Sequence, residues 1–119
     1  MPQRIHRTRR RANFTPPGAV YVGRPTIFSN PFDGRPRIGH KRSVILHAAW
    51  LDGQLNAHVL VCAGLSEAEI RALHRRRDRV LDLLPGIRGR NLQCWCPPTS
   101  AWCHADALLR AANRSVAPR

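Results

Sequence analysis

The chain has 119 residues, of which 43% are apolar, and this length is typical of one domain with a modest core. Its 20 basic residues outnumber seven acidic ones, giving a formal net charge of +13, which favours a polyanionic partner such as nucleic acid. No apolar stretch approaches the ~18 residues of a membrane-spanning helix, and no apolar segment follows the N-terminal charges as in a secretory signal. We therefore expect a cytoplasmic protein whose four cysteines stay reduced, a setting that favours metal binding or reactivity over disulfides.

The first 15 residues are predicted to form a basic N-terminal arm, and residues 16–119 a single domain. Arginine dominates the arm, and no acidic residue accompanies it. Such runs either stay solvated or become ordered on a polyanion. The candidate nucleic-acid-binding residues are Arg4, Arg7, Arg9, Arg10 and Arg11.

A short strand is predicted around Val20–Val22, whose residue types have high β propensity. Residues 23–39 are rich in Gly, Pro and Asn and are predicted to form a long structured loop. Loops of this length in compact domains often carry function. Arg24 and Asn30 are candidate ligand-binding residues there, and the alternative is that Asn30 only shapes a turn.

Three helices are predicted to follow the loop. Apolar spacing predicts the first over residues 42–51 and a shorter one over 57–63. The third begins at a capping box formed by Ser66 and Glu69, and Pro85-Gly86 is predicted to stop it. The predicted buried stripe of this helix consists of Ile70, Leu73, Val80 and Leu84, widened by Leu81 and Leu83.

A second strand is predicted over residues 92–96, followed by a loop and a last helix over 104–112. The order of strand, helices, strand and helix predicts the fold class α/β. We expect a small single domain with a short parallel sheet, helices packed on it and a long structured loop.

Three cysteines and a histidine crowd the segment between the second strand and the last helix. Cys94 and Cys96 have the period-two spacing of one strand face, which would turn Trp95 towards the core. Cys103 and His104 would lie at the start of the last helix. Cys94, Cys96, Cys103 and His104 are thus predicted to form a Cys₃His zinc site.

Two other interpretations of this cluster stay open. The cysteines can be ordinary buried side chains that behave as small hydrophobes. Alternatively, Cys103 at a helix N-terminus can be a reactive thiol, since the helix dipole favours the thiolate. Cys62 is a substitute fourth ligand in the metal interpretation.

The sequence blocks AVYVGRPT, NPF, GRNLQCWCP and CHADALLRAAN resemble those of the domain-of-unknown-function family 4326, found in bacteria and their phages. The resemblance covers nearly the whole chain, and the block from CWCP to CHAD is distinctive. It implies that the matching positions belong to one family-wide site or core, and phage association favours nucleic-acid and nucleotide roles. These positions are Arg24, Asn30, Pro31, Phe32, Cys94, Trp95, Cys96, Cys103, His104 and Asp106.

The favoured hypothesis is a small basic zinc-binding protein that contacts nucleic acid. The alternative is an enzyme acting on a nucleotide or nucleoside, at a site formed by residues 23–39 and the segment 94–106. In that case Arg24, Asn30 and Asp106 would contact the ligand, beyond the carboxyl ends of the strands. A third hypothesis is an interaction protein whose basic surface meets an acidic protein.

Overall fold

The structure is a computed structural model that describes residues 2–11, 14–97 and 99–114. Its sheet has three parallel strands, β1 (Arg4–His6), β2 (Val20–Tyr21) and β3 (Leu92–Cys94), in the spatial order β1-β3-β2. Leu92 pairs with Arg4 on one side and with Val20 on the other. Helices pack on this sheet, which confirms the predicted α/β class and the adjacent parallel pair.

Strand β1 was not predicted, because the sequence analysis assigned its residues to the basic arm. Its Ile5 pairs with Gln93, and the backbone N–H of Arg7 just beyond it donates to the Cys94 carbonyl at 2.6 Å. A 3₁₀ turn over Arg9–Arg11 follows. Residues 4–6 are therefore a paired edge strand rather than a solvated segment.

Four α-helices complete the fold. They are α1 (His40–Leu51), α2 (Ala57–Cys62), α3 (Glu67–Ile87) and α4 (His104–Asn113). Helix α4 contacts α1, α3, β1 and β3, so it occupies the centre of the helical layer. In the described part of the chain, no helix is both long and apolar enough to cross a membrane.

Helix α3 begins as predicted and ends later. Ser66 Oγ accepts from the backbone N–H of Glu69, whose carboxylate accepts from the backbone N–H of Ser66, so the capping box is present. The prediction that Pro85-Gly86 stops the helix was wrong, since it continues to Ile87. Ile87 is buried, and its burial offsets the backbone bond that Pro85 cannot make.

The predicted buried stripe of α3 is confirmed at its four main positions, Ile70, Leu73, Val80 and Leu84. Leu81 is partly buried against the core, as expected. Leu83 is 40% exposed, so its assignment to the stripe was wrong.

Residues 22–39 contain neither helix nor strand, which confirms the long structured loop. Three buried apolar side chains, Phe28, Phe32 and Ile38, hold it to the core. Because the loop leaves the carboxyl end of β2 and returns at α1, it covers the same sheet edge from which the cysteine segment emerges.

Candidate metal centre

Three cysteine sulfurs converge where β3 meets α4. The Sγ atoms of Cys94, Cys96 and Cys103 all lie within 4.8 Å of one another. Cys94 and Cys103 are buried, and Cys96 is partly exposed. A group of three thiols at this separation could hold a metal ion.

Local structure explains this convergence. Cys94 is the last residue of β3, and Cys103 is the N-cap of α4, with an extended backbone (φ −152°, ψ 135°). The strand ends before Trp95, so the predicted alternation of faces stops there. Trp95 is 43% exposed and donates its indole N–H to the Tyr21 hydroxyl at 2.9 Å, so its predicted place in the core was wrong.

The three thiols differ in acidity. Hydrogen bonds from Cys94 and Cys96 hold the pKa of the Cys103 thiol well below its ordinary value, although burial opposes this. Donating to Cys103 raises the pKa of Cys94, with its bond to Cys96 and its burial adding to the effect. The same donation raises the pKa of Cys96 to about 11. The hydrogen bonds within the cluster therefore favour ionisation of Cys103 over that of Cys94 or Cys96.

Arg4 places a positive charge beside the cluster. Its side chain is only 12% exposed and donates to the Asp106 carboxylate at 3.2 Å and to the Ser100 carbonyl at 2.8 Å. Burial alone would lower the pKa of Arg4, but its hydrogen bond to Cys103 and the charge of Asp106 raise it. Arg4 therefore makes its contacts within the domain, a role that no residue spacing in the sequence indicated.

His104 lies beside the three converging sulfurs, and its side-chain hydrogen bond to Cys103 also lowers the pKa of that thiol. Its Nε2 is 2.9 Å from the Val22 carbonyl oxygen. A carbonyl can only accept, so this nitrogen donates, leaving Nδ1 as the atom that could face a ligand. Of the four predicted ligands, the structure brings together the three cysteines.

His47 is a further functional candidate, which lies on α1 beside His104. It is 1% exposed, its ring lies 5.5 Å from that of His104, and its Nδ1 has no hydrogen-bond partner in the described part of the chain. Burial, reinforced by His104 and Arg76, lowers its pKa to about 3, so the ring is neutral near pH 7.

A cavity of about 300 Å³ opens next to the cluster, at the carboxyl ends of β2 and β3. Cys94 and Cys96 form part of its wall, together with Trp95 and Tyr21. His40 and His104 add imidazole rings, although the His40 Nε2 donates to the Trp102 carbonyl at 2.7 Å. The cavity therefore joins the cysteine cluster to solvent.

The predicted ligand-binding residues divide between two places. Arg24 and Asn30 line the cavity, but both have protein partners. Arg24 pairs with Asp33 at 3.1 Å. The Asn30 amide donates its N–H to the Ser43 hydroxyl and accepts a hydrogen bond from the Phe32 backbone N–H at its oxygen. Asp106 is absent from the residues that line this cavity and instead pairs with Arg4.

The predicted nucleic-acid-binding arginines also divide. Arg7 packs its guanidinium over the Tyr21 ring, 3.7 Å from the centroid, and donates to Gln93 and Thr15. Arg9 and Arg10 are exposed, while the side chain of Arg11 lies outside the described residues. Cys62, the substitute ligand, is exposed on α2 beside His58 and is not part of the cluster.

A family model described as Domain of unknown function (DUF4326) matches residues 5–114. The chain belongs to this family. Neither curated proteins nor solved structures include a significant match to the sequence. The family model spans both the loop and the cysteine segment, so the cysteine cluster and the cavity lie within the family domain.

Proposed function

We propose that the protein binds one zinc ion through the thiolates of Cys94, Cys96 and Cys103 and that it contacts nucleic acid. The metal half of this proposal, zinc binding, rests on one observation: the three sulfur atoms converge within 4.8 Å of one another. Thiolates favour zinc among the common divalent ions, and tetrahedral Zn–S bonds of ~2.3 Å set sulfur atoms about 3.8 Å apart. The observed separations need only small shifts to meet that value.

Charge compensation supports an ion at this position. Three thiolates and a divalent cation leave one negative charge, and the Arg4 guanidinium is held beside Cys103 to balance it. A zinc ion held by the three cysteines would supply Lewis acidity. Because Cys94, Cys96 and His104 line the cavity, a small ligand or His104 could complete its coordination.

Native mass spectrometry with elemental analysis of the untagged protein, before and after a chelator, tests the metal half. We expect one zinc per chain, and its loss in Cys94→Ser and Cys103→Ser. Cys62→Ser is the matched control, since this exposed cysteine lies outside the cluster. A metal-free protein purified under reducing conditions, or equal zinc loss in the control, would refute the proposal.

The nucleic-acid half rests on the net charge of +13. Since Arg4 and Arg7 are engaged within the domain, we assign the phosphate contacts to Arg9, Arg10 and Arg11. Affinity for DNA or RNA should then fall by up to ~0.9 log units per log unit of salt for each contact. Arg9→Gln and Arg10→Gln should each reduce this slope, and the absence of binding at low salt would refute the assignment.

The cavity favours a second candidate function, an enzyme acting on a nucleotide or nucleoside. Its position beyond the carboxyl ends of parallel strands is where α/β proteins bind such ligands. Trp95 and Tyr21 offer aromatic surface for a base, and Arg24 lies at the same wall. Thermal-shift screening with nucleosides and nucleotides tests this function, since a ligand that binds only the native state raises Tm. Equal shifts in wild type and Trp95→Ala would argue against the cavity as the site.

A further inference from the structure

A second cavity, of about 330 Å³, lies on another part of the surface and is lined by arginines. Arg35 and Arg37 come from the long loop, Arg42 from the first turn of α1, and Cys62 from the end of α2. No carboxylate is among its lining residues. None of them belongs to the cysteine cluster, so this site stands independently of the proposed zinc centre.

Arg35 is fixed in place by its surroundings. Its Nε donates to the Pro31 carbonyl at 3.1 Å, and its Nη1 donates to Glu69 Oε2 at 2.6 Å. Glu69 is itself held, because its other oxygen accepts from the backbone N–H of Ser66 in the capping box. One wall of the cavity is thus rigid, with the charge of Arg35 already balanced.

Arg37 and Arg42, unlike Arg35, are not held by neighbouring residues. Among the described residues, neither has a carboxylate or any other hydrogen-bonding partner, so two positive charges face the cavity uncompensated. Arg37 also has a φ of 66°, the left-handed region that L side chains other than Asn and Asp rarely adopt. A strained backbone that places an unpaired cation at a cavity is typical of a binding site.

We infer that this cavity binds the phosphate group of a small phosphorylated ligand. A phosphate would balance the charges of Arg37 and Arg42, and guanidinium groups match its oxygens with paired N–H donors. The volume is at the lower end of the range for small-molecule sites, enough for a phosphate with a compact organic part. The same chemistry can come from a free phosphate ester or from the backbone of a nucleic acid.

Titration calorimetry with inorganic pyrophosphate, at ionic strength matched with chloride, tests the site on the full chain. We expect saturable binding that weakens by roughly tenfold in Arg37→Asn and in Arg42→Gln, the effect of losing one charge-assisted hydrogen bond. Asn tolerates the left-handed backbone at position 37, so that variant retains its fold. Arg75→Gln is the matched control, since Arg75 is exposed on α3 away from the cavity.

Alkylation of Cys62 provides a second readout in the same samples. Its thiol is exposed and lines the cavity, whereas Cys94 and Cys103 are buried. Pyrophosphate should slow its modification by the uncharged reagent N-ethylmaleimide in wild type, and much less in Arg37→Asn. A short oligonucleotide that protects Cys62 when pyrophosphate does not would identify a backbone phosphate as the source.

Two results would overturn the inference. One is an absence of Cys62 protection and of binding by both probes beyond that of matched chloride. The other is equal weakening in Arg75→Gln, which would mean that only net charge matters. Zinc content, measured on the same preparations, reports separately on the cysteine cluster, so failure of one proposal leaves the other intact.

Discussion

The sulfur atoms of Cys94 and Cys103 lie 3.2 Å apart, one at the end of β3 and the other at the N-cap of α4. Both cysteines are buried and form no disulfide, and a hydrogen bond joins their sulfur atoms. This contact joins the sheet to the last helix at the point where both border the site. It also leads to a prediction about the oxidation of the metal-free protein.

We expect metal-free protein treated with diamide to form a Cys94–Cys103 disulfide. The two sulfurs must approach by only about 1 Å to reach bonding distance, and each thiol gives up its hydrogen to the diazene, which is reduced to a hydrazine. Peptide mapping under non-reducing conditions checks the bond. Zinc-loaded protein should resist oxidation, Cys96→Ser should still form the bond, and a crosslink through Cys62 instead would contradict the geometry.

Arg4→Met should lower the free energy of unfolding by about 2 kcal/mol, the typical cost of losing hydrogen bonds made by a charged group. The change removes the contacts with Asp106 and Ser100 while keeping most of the aliphatic stem. Urea denaturation measures the difference. Arg9→Met is the matched control, because Arg9 is exposed, and its effect should stay within ~0.5 kcal/mol. Equal effects at the two positions would show that Arg4 has no structural role.

Acid should destabilise the fold through His47. The folded-state pKa of about 3 lies below the ordinary value of 6.5, so the unfolded chain takes up a proton first as the pH falls. The stability due to neutral His47 is therefore present above pH 6.5 and is lost progressively towards pH 3. Between pH 7 and pH 5 this loss is about 2 kcal/mol.

The comparison with His47→Gln isolates this effect from other titrating groups. Wild type should lose about 2 kcal/mol more than the variant between pH 7 and pH 5, measured by urea denaturation at each pH. The variant shares every other ionisable group, including the cysteines of the cluster. Parallel losses in the two proteins would mean that His47 is not buried in its neutral form.

Ser66→Ala should cost about 1 kcal/mol of stability, because it removes the side-chain acceptor of the α3 capping box. The unpaired backbone N–H of Glu69 would then lie at the first turn without its partner. Thermal unfolding measures the loss, and Ser66→Asp, which restores a capping acceptor, should recover most of it. No recovery in the Asp variant would mean that capping is not the cause.

Much of the local structure could be predicted from the sequence, because it depends on neighbouring residues. The start of α3 follows from Ser66 and Glu69 alone, and the loop of residues 23–39 follows from its Gly and Pro content. Strand β3 and helix α4 were placed correctly within two residues at each end. The convergence of Cys94, Cys96 and Cys103 was also predicted, since a strand, a loop and a helix start brought them together over a short stretch.

The features that were not predicted depend on contacts between distant parts of the chain, for which a single sequence carries no local signal. Arg4 meets Asp106 across 102 residues, and the prediction of a free arm could not include that bond or strand β1. His104 reaches the Val22 carbonyl across 82 residues. Helix α3 continues past Pro85 because the burial of Ile87 outweighs the low helix propensity of proline. Such an outcome depends on packing and cannot be predicted from neighbouring residues. The sequence thus determined the helices, the loop and the sulfur cluster. The tertiary fold decided which charged groups and rings surround that cluster, because burial and pairing arise only once distant segments meet.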